Sequence, residues 1–437
     1  MFCDDCCRLT SNPTFRSKLC RSLTRCGVLA AFFLLGVAAG FGQAPARITL
    51  DQAIQMALEH NHALRSTRTQ IQQSQAQEIT AAIRPNPVFT FNSLFLPFTA
   101  ATAENFSTIS EFDAGVGYTF ERGHKRQRRI AAARDQTAVT QSQVADAERA
   151  ISFNVSQQFA NALLAKSNVE LATQNFESFQ QTLNIAQIQY NAGQISESDL
   201  LKIKLQLLQF QTDKSQAELS QVQALAALRQ LVGYDSVPAD YNVEGQLEYQ
   251  PLTVGLADLQ ARALATRPDL RAAQQGVTAA RSQYQLAQAN GKRDFNGGFQ
   301  YSHVSGVNTG DVLFSMEIPI FDRNQGEIAR TKYAIAQFDE TAREAEQTVL
   351  TDLRNAYEGL QTSQKIVQLY TGGYLKQSQD SRDISAYAYQ RGAASLLDFL
   401  DAERSYRSTQ LAYRQALAAY MVSLEQLRQA VGTRSLP

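Results

Sequence analysis

Three groups of residues have the types and spacing that chemistry requires. Cys3-Asp-Asp-Cys6-Cys7 has the close cysteine spacing of a metal or redox site, with Cys20 and Cys26 nearby. His60-Asn-His62 puts two imidazoles near one another; His124 and His303 stand apart. Asp398 and Asp401 lie three residues apart, so a helix would place both carboxylates on one face. None of these groups makes an enzyme, because no nucleophile–base set, phosphate-binding loop or metal-ligand cluster accompanies them. The reading is therefore no catalytic residues, no metal site and no cofactor, with all four histidines structural.

The position of the cysteines explains them. All five precede residue 27, ahead of the apolar stretch Val28–Ala39. Arg16, Lys18, Arg21 and Arg25 lie before that stretch, and Ala44-Pro45-Ala46 follows it. A basic n-region, a short apolar h-region and an A-x-A site describe a secretory signal peptide, predicted over residues 1–46. The alternative, an uncleaved N-terminal anchor, needs a longer apolar run to span a bilayer. No cysteine follows the h-region, so no lipid anchor is expected. After cleavage the exported chain would hold no cysteine and no disulfide.

Composition narrows the class further. The 437 residues carry 41 basic and 41 acidic side chains, and this balance argues against a nucleic-acid partner. A hydrophobic content of 44% predicts no bundle of membrane-spanning helices. Trp is absent and Pro occurs only 10 times, which suits long polar helices.

The elements that position Asp398 and Asp401 come in duplicate. Gln189-Tyr-Asn-Ala-Gly193 with Ser196 and Asp199 matches Ala388-Tyr-Gln-Arg-Gly392 with Ser395 and Asp398, where 392 − 193 = 199. Leu228–Gly233 matches Leu427–Gly432 at the same offset. The predicted organisation is a signal peptide (1–46), a first repeat (47–233), a linker (234–253) and a second repeat (254–437). Each repeat is predicted to hold a helix of about 35 residues (Leu50–Ile83; Leu256–Gln288). Two short strands, a very long helix (Lys125–Tyr190; Gln325–Gln390), a Gly turn and a second helix of about 35 residues follow. Gly372-Gly373 is a predicted weak point in the second long helix. Heptad rows such as Ile203, Phe210, Ala217 and Ala224, or Phe399, Tyr406, Tyr413 and Tyr420, predict coiled-coil packing.

The strands alternate. Phe112, Val116, Tyr118 and Phe120 fall on one face of the first clear strand; Val312, Phe314, Met316, Ile318 and Ile320 fall on one face of another. Phe295, Phe299 and Tyr301 mark a third strand, and Val88–Leu96 is a weaker fourth. Strands of about ten residues with one apolar, aromatic face are the pattern of transmembrane β-strands. Four strands cannot close a barrel, so a chain that used them to span a membrane would have to oligomerise. Phe98–Ser110 and Val304–Gly310 are the predicted hairpin loops. The basic run Lys125, Arg126, Arg128 and Arg129 reads as a solvated face near the membrane surface, with contact to lipid headgroups as the sharper option.

The duplication, the Tyr-x-x-Gly turns at Gly193 and Gly392, and the Asp-x-x-Asp-Ala stretch at Asp398–Ala402 resemble the outer-membrane efflux factor family, the TolC-like channels. The resemblance covers nearly all of the exported chain. It implies a mainly α fold with a small transmembrane β part: a trimer with a 12-stranded β-barrel in the outer membrane and an α-helical coiled-coil tunnel across the periplasm. The lipid-facing residues would then be Phe112, Val116, Tyr118, Phe120, Phe299, Tyr301, Val312, Phe314, Met316 and Ile318. Ser196 with Asp199 and Ser395 with Asp398 have the spacing of a helix N-cap box, so capping is the first reading of both Asp residues; the resemblance implies that the turns at Gly193, Ser196, Asp199, Gly392 and Ser395 also meet a periplasmic adaptor (membrane fusion) protein. Asp398 and Asp401 would ring the periplasmic gate. Other implied partners are an inner-membrane pump of the resistance-nodulation-division type and outer-membrane lipid.

Ile83-Arg-Pro-Asn-Pro87, Phe120-Glu-Arg-Gly-His-Lys-Arg126 and Pro319–Arg330 resemble the heavy-metal (cobalt-zinc-cadmium) members, although Glu121-Arg-Gly-His-Lys departs from the Gly-Gly-Lys expected there. Export of drugs or small organic molecules, a type I secretion duct, and a non-channel periplasmic coiled-coil adaptor are the alternatives.

Overall fold

The computed structural model describes residues 46–95, 99, 102–252 and 254–435. Residues 1–45 of the predicted signal peptide, with its five cysteines, and Leu96, Phe98 and Thr253 lie outside the described residues. Two units are distinguished. The smaller includes Arg47 and Pro238–Asn242; there the Asn242 amide donates to the Ala46 carbonyl at 2.9 Å. The larger holds the remaining elements.

Along the chain come β1 (Arg47–Ile48), α1 (Leu50–His60), α2 (His62–Ala82), β2 (Val88–Phe95), α3 (Phe106–Ile109), β3 (Glu111–Phe120), α4 (Lys125–Asn191) and α5 (Glu197–Val232). Then come β4 (Asn242–Val243), α6 (Leu256–Thr266), α7 (Pro268–Asn290), β5 (Phe295–Val304), β6 (Val307–Met316), α8 (Gln325–Leu369), α9 (Leu375–Gln390) and α10 (Leu396–Val431).

The single 35-residue helices expected at the start of each half are not continuous, and the backbone leaves the helix in the same way in both. Asn61 leaves the helical region (φ −64°, ψ 118°) and its side chain accepts from the Leu64 amide at 3.0 Å, which ends α1 and caps α2. Arg267 has nearly the same backbone (φ −65°, ψ 122°), and Pro268 follows at the first helical position, where its missing N–H costs nothing. Each break residue also binds the last turn of its own half. Asn61 Nδ2 donates to the Leu231 carbonyl at 2.9 Å, and Arg267 donates to the Ala430 carbonyl at 3.4 Å.

α4 runs 67 residues without interruption, about 100 Å at 1.5 Å per residue. Its counterpart is broken: a π-turn at Tyr370–Tyr374 separates α8 from α9, and Gly373 sits at φ 149°, open only to a residue without Cβ. Both long helices start from a left-handed residue, His124 (φ 58°) and Asn324 (φ 61°).

The strands form one antiparallel sheet in the order β2-β3-β5-β6. The β5–β6 connection is shorter than the seven-residue stretch expected from the sequence. Ser305 and Gly306, both at positive φ, make a two-residue turn, so Asn308 to Gly310 belong to the strand. β6 also ends earlier than the alternation suggested. Its last pair is Met316 with Phe295, the first residue of β5, and Pro319 has no N–H to extend a ladder. Ile318 and Ile320 therefore lie beyond the strand.

The helices layer in the same sequence as the strands. α2 packs on α4, α4 on α7, and α7 on α8; at the far end α5 packs on α4, α4 on α10, and α10 on α8 and α9. One core joins Leu259, Leu353, Leu360, Tyr420 and Leu427 from α6, α8 and α10. A second, near the Gly turns, gathers Phe179, Leu200, Ile203, Phe210, Leu396 and Phe399. Ile203, Phe210, Phe399, Tyr420 and Leu427 belong to the heptad rows, so the sequence period is the packing period here.

Candidate functional site

The sheet has two chemically different faces. Register partners across an antiparallel sheet share a face. Phe89, Val116, Phe299 and Val312 form one such row; Phe91, Ala114, Tyr301 and Gly310 form another; Phe120, Phe295 and Met316 a third. Phe112 stacks on His303 at 5.0 Å on this face, and Phe120 on Phe295 at 4.9 Å. Val312 is 85% exposed and Phe314 69%, so nothing else among the described residues covers this face there. Tyr118 and Phe112 are half-buried by their neighbours. Ile318 is exposed but outside the sheet.

The opposite face is polar and small. Gly115, Gln300 and Asp311 pair across it, as do Asn92, Asp113, Ser302 and Thr309. Ser302 Oγ donates to Asp311 at 3.0 Å and Thr119 to Asn296 at 2.7 Å. Gly298 lets the strands approach: a Cβ there would meet the Val116 carbonyl at 2.9 Å. Phe89, Phe91 and Phe295, expected in strands but not counted in the lipid-facing set, lie on the same apolar face. Their signal was the same alternation, diluted in β2 by a register shift between Ser93 and Phe95.

The two Gly turns repeat bond for bond. The Gly193 amide donates to Tyr190 at 2.9 Å and the Gln194 amide to Gln189 at 2.8 Å. The Gly392 amide donates to Tyr389 at 3.0 Å and the Ala393 amide to Ala388 at 2.9 Å. This is the Schellman arrangement that satisfies the last carbonyls of a helix, and it demands a left-handed residue. Gly193 and Gly392 supply it at φ 71° and 72°.

The next helices start from serine. Ser196 Oγ accepts from the Asp199 amide at 3.1 Å, and Ser395 Oγ accepts from the Asp398 amide at 3.2 Å. Asp398 returns the bond, its Oδ2 accepting from the Ser395 amide at 3.1 Å and from Ser395 Oγ at 2.7 Å. Those bonds, the hydroxyl first and the amide second, hold the Asp398 carboxyl below the usual carboxylate range. The Asp398 carboxylate is thus turned back onto its own cap. Asp401, one turn on, is exposed, with Arg404 3.4 Å away. Lys202 occupies the corresponding place in the first half and pairs with Asp199 at 3.3 Å.

The two tips are tied together. Arg407 of α10 pairs with Asp213 of α5 at 2.7 Å and lies over the Phe210 ring at 5.0 Å. Tyr389 stacks on Phe399 at 5.5 Å with the planes 5° apart. The Arg407 tie was not legible from the sequence, because the two residues are 194 apart and belong to no motif.

The basic run differs from its sequence reading as a solvated face. Lys125 pairs with Asp294 at 2.7 Å, and Arg129 pairs with Glu121. Arg126 donates to the Ala82 carbonyl at 2.5 Å, and Arg129 donates to Ala81 and Ile83 at 3.4 and 3.2 Å. These guanidinium groups satisfy the orphan carbonyls at the end of α2, where a helix dipole favours positive charge. The strongest of these contacts, the hydrogen bond to Glu121, holds the Arg129 guanidinium above its ordinary value. Among the described residues no group of three or more His, Cys, Asp or Glu side chains is placed to hold a metal ion, and no helix is long and apolar enough to cross a membrane.

Comparison with known proteins places this geometry. The family described as "Outer membrane efflux protein" matches residues 53–234 and 259–433. The chain is 26% identical over 383 residues to the cobalt-zinc-cadmium resistance protein CzcC of Cupriavidus metallidurans, covering 85% of this chain and 87% of that one. It is 24% identical to the probable outer membrane lipoprotein SilC of Salmonella typhimurium, covering 83% and 80%. A crystal structure of CusC superposes with a TM-score of 0.74 over 90% of this chain and 96% of that chain, at 21% identity.

Proposed function

The chain belongs to the outer membrane efflux protein family, and from that premise we propose that three copies form the exit duct of a tripartite efflux system. The observation that carries the proposal is the four-stranded sheet with one uncovered aromatic face and one polar, glycine-rich face. Open sheet edges cannot lie in hydrocarbon, and four strands are too few to close. Twelve strands, four from each of three copies, make a barrel whose apolar face meets lipid at Val116, Phe120, Phe299, Tyr301, Val312, Phe314 and Met316, with Phe112 and Tyr118 beside them. The polar face then lines water.

Residues 1–46 are removed on export, and the two repeats on either side of the 234–253 linker build the periplasmic helices. Those helices continue the duct towards the inner membrane. The Gly193 and Gly392 turns, with Ser196, Asp199 and Ser395, form its inner tips and are the places where a periplasmic adaptor docks. Asp398 and Asp401 ring the entrance. The protein is a passive conduit without catalytic residues; an inner-membrane pump supplies the energy.

The cargo we propose is heavy-metal cations. CzcC is named for resistance to cobalt, zinc and cadmium, and exposed carboxylates at Asp401 favour cations over anions. A conduit needs no tight metal site. Deletion of the gene should sensitise cells to one or more of cobalt, zinc and cadmium. Sensitivity to organic drugs alone would overturn the cargo. Recovery of the protein from the soluble periplasm, with none in the outer membrane, would overturn the duct.

A further inference from the structure

We propose that a cavity between α4, α10 and the inter-repeat linker binds the carboxylate of a small organic molecule, held by Arg414, Lys166 and Ser167. The site stands apart from the duct reading and goes beyond it.

The cavity has a volume of about 450 Å³, which suits a small molecule. Two helix faces and one loop build it. Leu163, Lys166, Ser167 and Glu170 recur at i, i+3, i+4 and i+7 along α4. Gln410, Tyr413, Arg414 and Leu417 do the same along α10. That spacing puts each set on one face of its helix, where an apolar seam is usual. Here polar and charged side chains interrupt both seams at the same level. On α10 the interruption lies between Phe399 of the core near the Gly turns and Tyr420 of the other core. The linker closes the third side at Gly245, Gln246 and Leu247. Gly245 takes φ 137°, a conformation open to a residue without Cβ.

The cations of the cavity are positioned but not neutralised. Arg414 Nε donates to Ser167 Oγ at 3.0 Å. Its Nη1 donates to the Gln410 carbonyl at 3.3 Å and to Gln410 Oε1 at 2.9 Å. These bonds fix the guanidinium plane and leave Nη2 with no acceptor among the described residues. Lys166 Nζ donates to the Val243 carbonyl at 3.3 Å and keeps further protons to give. Ser167 Oγ accepts from Arg414, so its own proton is also free to donate. Neither Arg414 nor Lys166 forms an ion pair among the described residues. Arg129 and Arg267, which are also drawn in from solvent, each have a carboxylate partner. The consequence is visible at Arg414. Burial pushes its guanidinium below the ordinary value, and the attractions of Tyr406, Glu170 and Tyr413 do not make up the loss. A partly desolvated cation without a partner is costly unless something else supplies the negative charge.

Charge and shape select the class of ligand. Arg414 and Lys166 give two positive charges and Glu170 one negative, a surplus of one. One carboxylate cancels that surplus, and charge-assisted bonds from Nη2, Lys166 and Ser167 converge on its oxygens. A doubly charged phosphate would leave the cavity negative. Leu163, Leu247 and Leu417 offer an apolar wall for the body of the molecule.

The test uses the full-length protein purified in detergent, with para-fluorobenzoate as the probe and fluorine NMR line broadening as the readout. The native protein is expected to broaden the probe more than detergent alone does, and acetate should reverse the broadening. Neutral para-fluorobenzamide should stay sharp. Arg414→Gln and Lys166→Gln should each weaken binding by about tenfold or more, the loss of a charge-assisted hydrogen bond. Arg414→Gln should also keep or raise the melting midpoint, because it removes an unpaired cation. Equal broadening of the benzamide would make the cavity merely apolar and overturn the proposal. Displacement by inorganic phosphate but not by acetate would overturn the carboxylate class. Unchanged binding in both variants would place the probe elsewhere, and a lowered midpoint with unchanged binding would make Arg414 a structural residue. If Arg414→Gln fails to fold, Lys166→Gln decides alone: unchanged binding there overturns the site.

Discussion

Asp398 and Asp401 illustrate how two carboxylates at helical spacing come to differ in role. Asp398 is engaged by its own N-cap, and Asp401 projects into solvent beside Arg404. Replacing Asp401 by Ala should leave the helix intact and enlarge the ion current in planar bilayers while weakening cation preference. Adding Asp398→Ala should increase the leak further and remove the reciprocal half of the capping box. Unchanged conductance and ion preference in the double variant would remove both residues from the gate. At Gly392 the demand is conformational. A Cβ there meets no other atom within 4 Å, so Gly392→Ala is opposed by the positive φ alone, at about 1 kcal/mol. A lowered melting midpoint of the helical signal would register that cost.

At the scale of elements, the joint where α6, α7, α8 and α10 meet is held by charge. Arg267 is 3% exposed and donates to Asp269 at 2.6 Å and to Asp352 at 3.1 Å. Burial alone would raise the Asp269 carboxyl. The Arg267 hydrogen bond and the charges of Arg267 and Arg149 outweigh it and hold the group below the usual carboxylate range. A carboxyl depressed in the folded state contributes stability above its unfolded value, near pH 4, and loses it as pH falls through the folded value. Acid titration followed by circular dichroism should therefore loosen this joint below about pH 4, and Asp269→Asn should flatten that part of the curve. Arg267→Ala leaves two carboxylates without their partner and should cost roughly 2–4 kcal/mol, allowing for the half-exposed Asp352. In the sheet, Gly298→Ala would press a methyl group against the Val116 carbonyl and should reduce the yield of assembled barrel on gels run without heating.

For the molecule as a whole, period and repetition made most of the architecture legible in advance. The alternation in β3, the heptads of α5 and α10 and the 199-residue offset between Gly193 and Gly392 each report a local physical demand that sequence spacing preserves. What escaped the sequence had either a local cause too small to see or a distant partner. Asn61 breaks a helix by its cap, and nothing in its neighbours' polarity marks the spot. Pro319 shortens β6 at a place where Ile318 and Ile320 keep the alternation going. Arg126 and Arg129 resemble a solvated basic run until the carbonyls of Ala82 and Ile83 are brought beside them. The Arg407–Asp213 tie joins residues 194 apart that belong to no repeated motif. Patterns repeated over many residues survive reading in one dimension; contacts between single residues far apart do not.

The central claim, that copies of this chain enclose a water-filled duct through the outer membrane, is tested most directly by single-channel recording. The native protein, purified from outer membranes, would be reconstituted in a planar bilayer beside its Asp401→Ala variant. Discrete current steps are expected from both, with a reversal potential that marks cation preference in the native protein and larger steps in the variant. A silent bilayer with both proteins, under conditions in which each is shown to have inserted, would contradict the claim.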